Sequence, residues 1–391
     1  MTRVLVARTG SVWRWDTSKA SPTGEQSDAV GVAKWVAEHY DCALLGRIEG
    51  DAPGKVFNTR DYQMPKAWRP EGYVGDQEDW SCVDRLAEDI AAWEPDVLVE
   101  ICGPTATMSN PNNHKDVKCL EFAVQYIYPI LHVCQQLKLP RICVVNDPRN
   151  YPKDQEMSVW EHVIPAAVLS QCDDPFYRRV DGKKYLIEPE YAGCENWWSY
   201  KWENQIQLPS SAMREFYTMI AHSHFEDGRL QKNDRNEVWS YIWPEGIPAW
   251  MHVYGNHWDK FANGKPPSWH GACKPDEVHA ILQQTIAGPI IPIANNWVTA
   301  KLRQYVLNGA LPLLYGKSPE TNLAYDAKER YVRFDSPLRF EDDVRECIDR
   351  WRDPVIRTDR ILDLLQKTEP NFIALERAIS CPRASSGYQP C

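Results

Sequence analysis

The chain has no Cys-x-x-Cys pair, and its twelve cysteines are scattered along 391 residues. That excludes a compact disulfide framework and, with no Cys/His run at ligand spacing, a structural zinc site. Reduced thiols in a cytoplasmic protein are the expectation. There is no Gly-x-Gly-x-x-Gly, so the dinucleotide-binding fingerprint is absent. No apolar run approaches the roughly 20 residues of a membrane span. The opening Met-Thr-Arg-Val-Leu-Val-Ala-Arg-Thr-Gly lacks the apolar stretch and cleavage site of a signal peptide. No internal repeat is visible. Positive charge is also short: 44 Lys and Arg against 54 Asp and Glu leave a formal charge of −10. Such a balance repels nucleic acid and anionic membranes unless cations are concentrated locally.

What is present is ordinary globular material, 43% hydrophobic and 25% charged, enough for two domains. The central stretch is Ile290 to Gly316. An apolar run stops at Asn295-Asn296, and a helical pattern follows with Val298, Leu302, Tyr305 and Val306 at 3.6-residue spacing. Asn308-Gly309 closes it, and 311–315 reads as a buried strand. A strand feeding a helix with Thr299 and Lys301 in its first turns suits an anion, because backbone N–H groups are unpaired there. An ordinary strand–helix–strand unit with a solvated lysine fits the spacing equally.

Elsewhere, 3–7, 43–45, 96–101, 141–145 and 168–171 read as strands separated by amphipathic helices at 27–40, 82–93, 119–137 and 161–167. That alternation predicts a doubly wound parallel sheet. Residues 50–80 read as a long exposed loop. The pattern breaks over 173–211, which holds Arg178, Arg179, Lys183 and Lys184 beside Trp197, Trp198 and Trp202. A second α/β series follows, with strands at 217–221, 250–254 and 331–334, and charged helices over 340–380. The predicted domains are 1–172, a linker or insertion at 173–212, 213–355, and C-terminal helices at 356–391 that return to the first domain.

Trp297 to Tyr315 resembles the xxTxRxxExxxxGxxPL segment of GT-B glycosyltransferases, through Thr299, Lys301, Gln304, Gly309, Leu311 and Pro312. Val253-Tyr254-Gly255-Asn256 and His270-Gly271 also fit GT-B pattern elements. Within that fold the chain resembles the bacteriophage DNA β-glucosyltransferases, which glucosylate hydroxymethylcytosine in duplex DNA. The strand at 142–145 ends at Asp147-Pro148-Arg149, where that family has its catalytic aspartate. Phe225 to Lys232 lies where it has a diphosphate-binding loop. The chain departs from the family at Lys301 (arginine there), at Gln304 (glutamate there) and at Glu226 (arginine there).

The resemblance implies two Rossmann-like domains facing a central cleft, a UDP-sugar donor such as UDP-glucose, an optional divalent metal and hydroxymethylpyrimidine DNA as acceptor. It implies a monomer. It assigns Asp147 as general base, and Arg229, Lys232, Lys301 and Thr299 to the diphosphate. Gln304, Gly255, Asn256, Gly271, Cys273 and Lys274 fall to the nucleoside, and Glu25 and Gly10 to the sugar. An enzyme acting on duplex DNA needs a cationic face, for which Arg149, Arg178, Arg179, Lys183 and Lys184 are the candidates. From the residues alone, Asp147-Pro148 is also a turn starter, Arg229 and Lys232 suit a solvated loop, and Gln304 and Glu25 suit plain surface. The tryptophans fit a core as well as a base-stacking role. A GT-B transferase of the spore-maturation type, acting on a glycan or small molecule, and a non-catalytic nucleotide-sugar or DNA-binding module remain open.

Overall fold

The computed structural model describes residues 1–9, 13–14, 24–62, 81–102, 136–145, 166–170, 176–180, 183–187, 190–201, 216–221, 239–240, 243–274, 277–290, 300–315, 333–334, 350 and 353–381. It divides into two compact units. The first is Met1–Ser18, Gly24–Tyr200 and Pro370–Cys391, and the second is Lys19–Thr23 and Lys201–Glu369.

The elements run β1 (Arg3–Thr9), β2 (Trp13–Arg14), α1 (Gly24–His39), β3 (Asp41–Gly46), β4 (Ile48–Glu49), β5 (Lys55–Asn58), α2 (Ser81–Trp93) and β6 (Val97–Cys102). Next come β7 (Arg141–Val145), β8 (Ala167–Ser170), β9 (Phe176–Val180), β10 (Lys183–Ile187), β11 (Glu190–Tyr191) and a 3-10 helix, Cys194–Ser199. The second unit holds β12 (Phe216–Ile220), β13 (Met251–Tyr254), a 3-10 turn at Trp258–Lys260, α3 (Glu277–Gln283), β14 (Thr285–Ile290), α4 (Lys301–Leu307), β15 (Leu311–Tyr315), β16 (Arg333–Phe334) and α5 (Pro354–Lys367). Helix α6 (Ile373–Ser380) returns to the first unit.

The first unit is built on a seven-stranded sheet ordered β11-β8-β7-β6-β1-β3-β5, parallel throughout. A parallel sheet needs both faces covered, and β1 has the side chains to do it. Val4 and Val6 join one buried cluster with α1, whereas Leu5 and Ala7 join another with Leu86 and Ile90 of α2. The chain winds away from β1 in opposite directions, through β3 on one side and β6 on the other. This topological switch point lies where Thr9 pairs with Cys102. The second unit repeats the plan in a five-stranded parallel sheet, β13-β12-β14-β15-β16, with its switch point between β12 and β14.

Several expectations are corrected. The 50–80 stretch contains β5, which pairs parallel with β3 because Phe57 is buried against the α2 face. The linker at 173–212 is instead largely part of the first unit. It supplies the β9–β10 hairpin, strand β11 and the 3-10 helix. Of the two readings open for the tryptophans, the core one holds for Trp197 and Trp198; Trp197 is wholly buried, and its indole N–H donates to the Asn371 carbonyl at 2.7 Å. Phe372 stacks on Trp197 and on Trp35, at 5.0 and 4.8 Å between ring centroids. The C-terminal helices separate: α6 packs on the first unit, but α5 stays with the second, where buried Arg303 donates to the Leu365 carbonyl at 2.6 Å. Strand β14 ends at Ile290, and the rest of the apolar run from Ile290 to Ala294 lies outside the described residues.

Candidate functional site

The carboxyl end of β13 shows how local sequence shapes this site. Met251 and Val253 point into the core while His252 and Tyr254 lie on the half-exposed face, the period-2 alternation of a strand. Gly255 then turns the chain with a φ of 138°, a value that only glycine adopts readily. The segment 268–271 runs beside β13 and is pinned to it. Val253 N–H donates to the Ser268 carbonyl (3.0 Å), His270 N–H to Val253 (2.9 Å) and Gly255 N–H to Gly271 (2.8 Å). The Trp269 indole N–H closes the turn on the Gly255 carbonyl at 2.8 Å. Gly271 has a φ of 83°, and a Cβ there would meet no atom within 4 Å, so the space beside this turn is open.

Three rings stack on that face. His270 lies between His252 and Tyr254, with centroids 5.0 and 4.7 Å apart, and the two imidazoles approach at 2.9 Å between Nδ1 and Nε2. Burial lowers the His252 pKa, and the neighbouring His270 lowers it further.

Beyond Gly271 the chain reaches Cys273 and Lys274. The Lys274 N–H donates to a Glu277 carboxylate oxygen at 2.8 Å, which ties the loop to the first turn of α3. Burial pushes the Cys273 thiol up, the Lys301 ammonium opposes that shift, and Glu277 adds to it. The Tyr254 phenol is raised by burial, then by Cys273 and Glu277. Tyr254, Cys273, Glu277 and Lys301 therefore form one electrostatic group, assembled from β13, the 268–274 loop, α3 and α4. Chemically it offers an aromatic face and one ammonium to a flat polar ligand carrying negative charge.

The structure thus gathers Gly255, Asn256, Gly271, Cys273, Lys274 and Lys301 at one end of the second sheet, and Gln304 follows one turn after Lys301 on α4, half-buried. Glu25 is in the first turn of α1. Arg178 and Arg179 are on β9, Lys183 and Lys184 on β10. Gly10, Asp147, Arg149, Arg229, Lys232 and Thr299 lie outside the described residues, though the strands before them are described. Gly10 follows β1, Asp147 follows Val145 of β7 by two residues, and the connections leaving β12 and β14 carry Arg229, Lys232 and Thr299. Glu277 and the ring partner His252 were not predicted from sequence. The alternation in Met-His-Val-Tyr was the signal for His252, since it puts the histidine and Tyr254 on one face. Among the described residues no cluster of three or more His, Cys, Asp and Glu could hold a metal ion.

No protein-family model matches the chain, and no curated protein matches it by sequence. Solved structures do match. A DNA-modifying β-glucosyltransferase, solved with and without uridine diphosphoglucose, aligns over 97% of this chain and 100% of its own, at 16% identity and a TM-score of 0.57. The fold is GT-B. The T4 phage β-glucosyltransferase bound to UDP-glucose aligns over 98% and 96% of the two chains, at 15% identity and a TM-score of 0.55. Anabaena HepE, in complex with UDP and glucose, aligns over 97% and 99%, at 9% identity and a TM-score of 0.52. In GT-B terms the first unit is the N-terminal Rossmann-like domain and the second the C-terminal one.

Proposed function

We propose that this chain is a glycosyltransferase that moves a sugar from a UDP-sugar to the hydroxymethyl group of a modified pyrimidine in DNA. The observation that carries the reading is the group at the carboxyl end of the second sheet, where an open glycine turn leads to Cys273, whose thiol the Lys301 ammonium holds down against burial. Ligands of open α/β sheets bind at this edge. Full-length likeness to a DNA-modifying β-glucosyltransferase supports the DNA acceptor.

In this reading the 271–274 loop, with Gly255 and Asn256, receives the nucleoside, and Gln304 bonds its ribose. Lys301, Arg229, Lys232 and Thr299 meet the diphosphate. Glu25 and Gly10 meet the sugar, and Arg149 the acceptor. The acceptor hydroxymethyl oxygen attacks the anomeric carbon as the bond to the UDP oxygen breaks, and Asp147 takes the hydroxyl proton. Attack opposite the leaving group inverts the anomeric centre. A positioned base contributes about 10²–10⁴-fold, and a donor aimed at the developing negative charge about 2.7–4 kcal/mol. A divalent metal is optional in this scheme.

The test is transfer from a panel of UDP-sugars to DNA containing hydroxymethylcytosine or hydroxymethyluracil, read as nucleoside mass. A mass gain that disappears in Asp147→Ala is the expected result. The formal charge of −10 and the HepE likeness favour a second reading, a glycan or small-molecule acceptor. Donor turnover with unmodified DNA would select it. No turnover with any donor would leave a binding module.

A further inference from the structure

The segment 268–271 runs along the free edge of β13, the end strand of the second sheet, and leads to Cys273 and Lys274. Its main chain is tied to that edge by the bonds of Val253, Gly255 and His270. A side-chain bond adds to them. His252 Nδ1 and His270 Nε2 stand 2.9 Å apart, in ring planes 8° from parallel, and Tyr254 stacks on His270. Gly271 follows directly, at a φ of 83°. Movement of the His270 ring is therefore passed to the turn that carries the loop into the donor site.

Two nitrogens at that distance share a hydrogen bond only when one carries a proton and the other a lone pair. A neutral imidazole has one of each, so the neutral pair bonds, and so does the pair with one extra proton. Two imidazoliums have no lone pair to offer. The second proton thus removes the bond and leaves like charges in contact, and the rings titrate as a unit. His270 is exposed and His252 half-buried, so protons reach the pair without an opening of the core. Burial and then His270 lower the His252 pKa, in agreement with that coupling.

The neighbouring groups hold their charge while the pair titrates. Burial raises both the Tyr254 phenol beside the pair and the Cys273 thiol along the loop, which keeps them neutral below pH 8. Lys265, over the Trp269 ring at 4.9 Å, and Lys274 are the loop's ammonium groups. On the inner side β12 pairs Thr218 with His252, a residue that does not titrate. Helix α3 carries Glu277, bonded to the Lys274 N–H, and His279, bonded to Asn308. Helix α4 carries Lys301 and Arg303, the latter on the Leu365 carbonyl. Histidine is the side chain whose ordinary pKa lies between 5 and 8.

We propose that His252 and His270 are positioning residues that latch the donor loop to β13, and that the pair's second proton releases it. The inference rests on the donor reading above and adds its regulation, UDP-sugar binding that weakens in acid.

UDP-glucose is the probe, because both of its phosphates are esterified and keep their charge from pH 8 to 5. Its affinity is measured by calorimetry across that range for the full chain, His252→Gln and His252→Ala, each checked by thermal melting at pH 8. Hydrogen exchange of the 268–274 and Gly255 amides, corrected for its intrinsic pH dependence, is read in parallel without ligand. A glutamine amide both donates and accepts, so H252Q keeps the tie and cannot take the second proton. The wild-type Kd should rise about tenfold toward pH 5, the change expected when about nine-tenths of the loop is released. Amide protection at His270 and Gly255 should fall with it. H252Q should hold both nearly level, and H252A should be weak and unprotected already at pH 8. An acid limb that persists unchanged in H252Q overturns the proposal, as does wild-type affinity in H252A. Protection that follows the expected pattern while UDP-glucose binds at no pH also overturns it, by removing the donor reading and leaving a proton-sensitive loop without that role.

Discussion

Tyr305 donates its hydroxyl to the main-chain carbonyl of Thr218 at 2.8 Å, and so ties α4 to the strand at the centre of the second sheet's winding. The register between β12 and β14 shifts at Phe216/Tyr217, and the tyrosine bonds the Thr218 carbonyl beside that irregularity. Gly288 makes the approach possible, since a Cβ there would stand 1.8 Å from the Thr218 oxygen and 2.8 Å from the Tyr305 ring. Removing the hydroxyl strands a buried acceptor, which costs about 1–3 kcal/mol. Tyr305→Phe should lower the urea midpoint accordingly. Because Tyr305 shares α4 with Lys301, the same variant should weaken UDP binding. An unchanged midpoint would mean the carbonyl finds another donor.

Lys301 opposes the upward shift of the Cys273 thiol. Lys301→Ala should therefore raise that pKa further and slow alkylation of Cys273 at pH 8, since the thiolate is the nucleophile. Turnover should fall about 10²-fold if the ammonium also meets the departing diphosphate. Lost turnover with unchanged Cys273 reactivity would separate the two roles.

His252 titrates below its usual 6.5, through burial and then through His270. The unfolded chain consequently binds a proton at a higher pH than the folded one. Stability from this group is complete above about 6.5 and declines as pH falls toward the lowered value. Thermal melts from pH 8 to 5 should show that decline, and His252→Gln should flatten it. An acid limb unaffected by the substitution would assign the decline to other groups.

A Cβ on Gly31 of α1 would stand 1.9 Å from the Trp197 carbonyl oxygen. Helix α1 and the 3-10 helix can thus approach only with glycine at this point. Gly31→Ala should destabilise the first unit by about 1–3 kcal/mol, the usual cost of overpacking. Tryptophan fluorescence, dominated by buried indoles such as Trp197, follows the transition.

Long apolar runs made the parallel architecture legible, because strands covered on both faces carry apolar residues at consecutive positions, as 4–7 and 142–144 do. Strand β14 was missed for the opposite reason. Its Thr-Ile-Ala-Gly-Pro-Ile reads as punctuation, yet Gly288 is needed for the Tyr305 contact and is fully inside the strand. Strand β5 was hidden by Pro53 and Gly54 just before it. At the site, the glycine turns and Lys301 could be found by pattern. Glu277 could not, because its contact with Lys274 depends on how the loop meets α3.

The Phe372 contacts with Trp35 and Trp197 mean that the first unit cannot finish folding during synthesis until its last helix has left the ribosome. The second unit, whose residues end at Glu369, does not depend on that helix. Until residue 380 emerges, the face of α1 that carries Trp35 lacks its cover, and uncovered apolar surface invites aggregation. A chain truncated after residue 369 should hold a folded C-terminal domain and an N-terminal domain that still recruits chaperones.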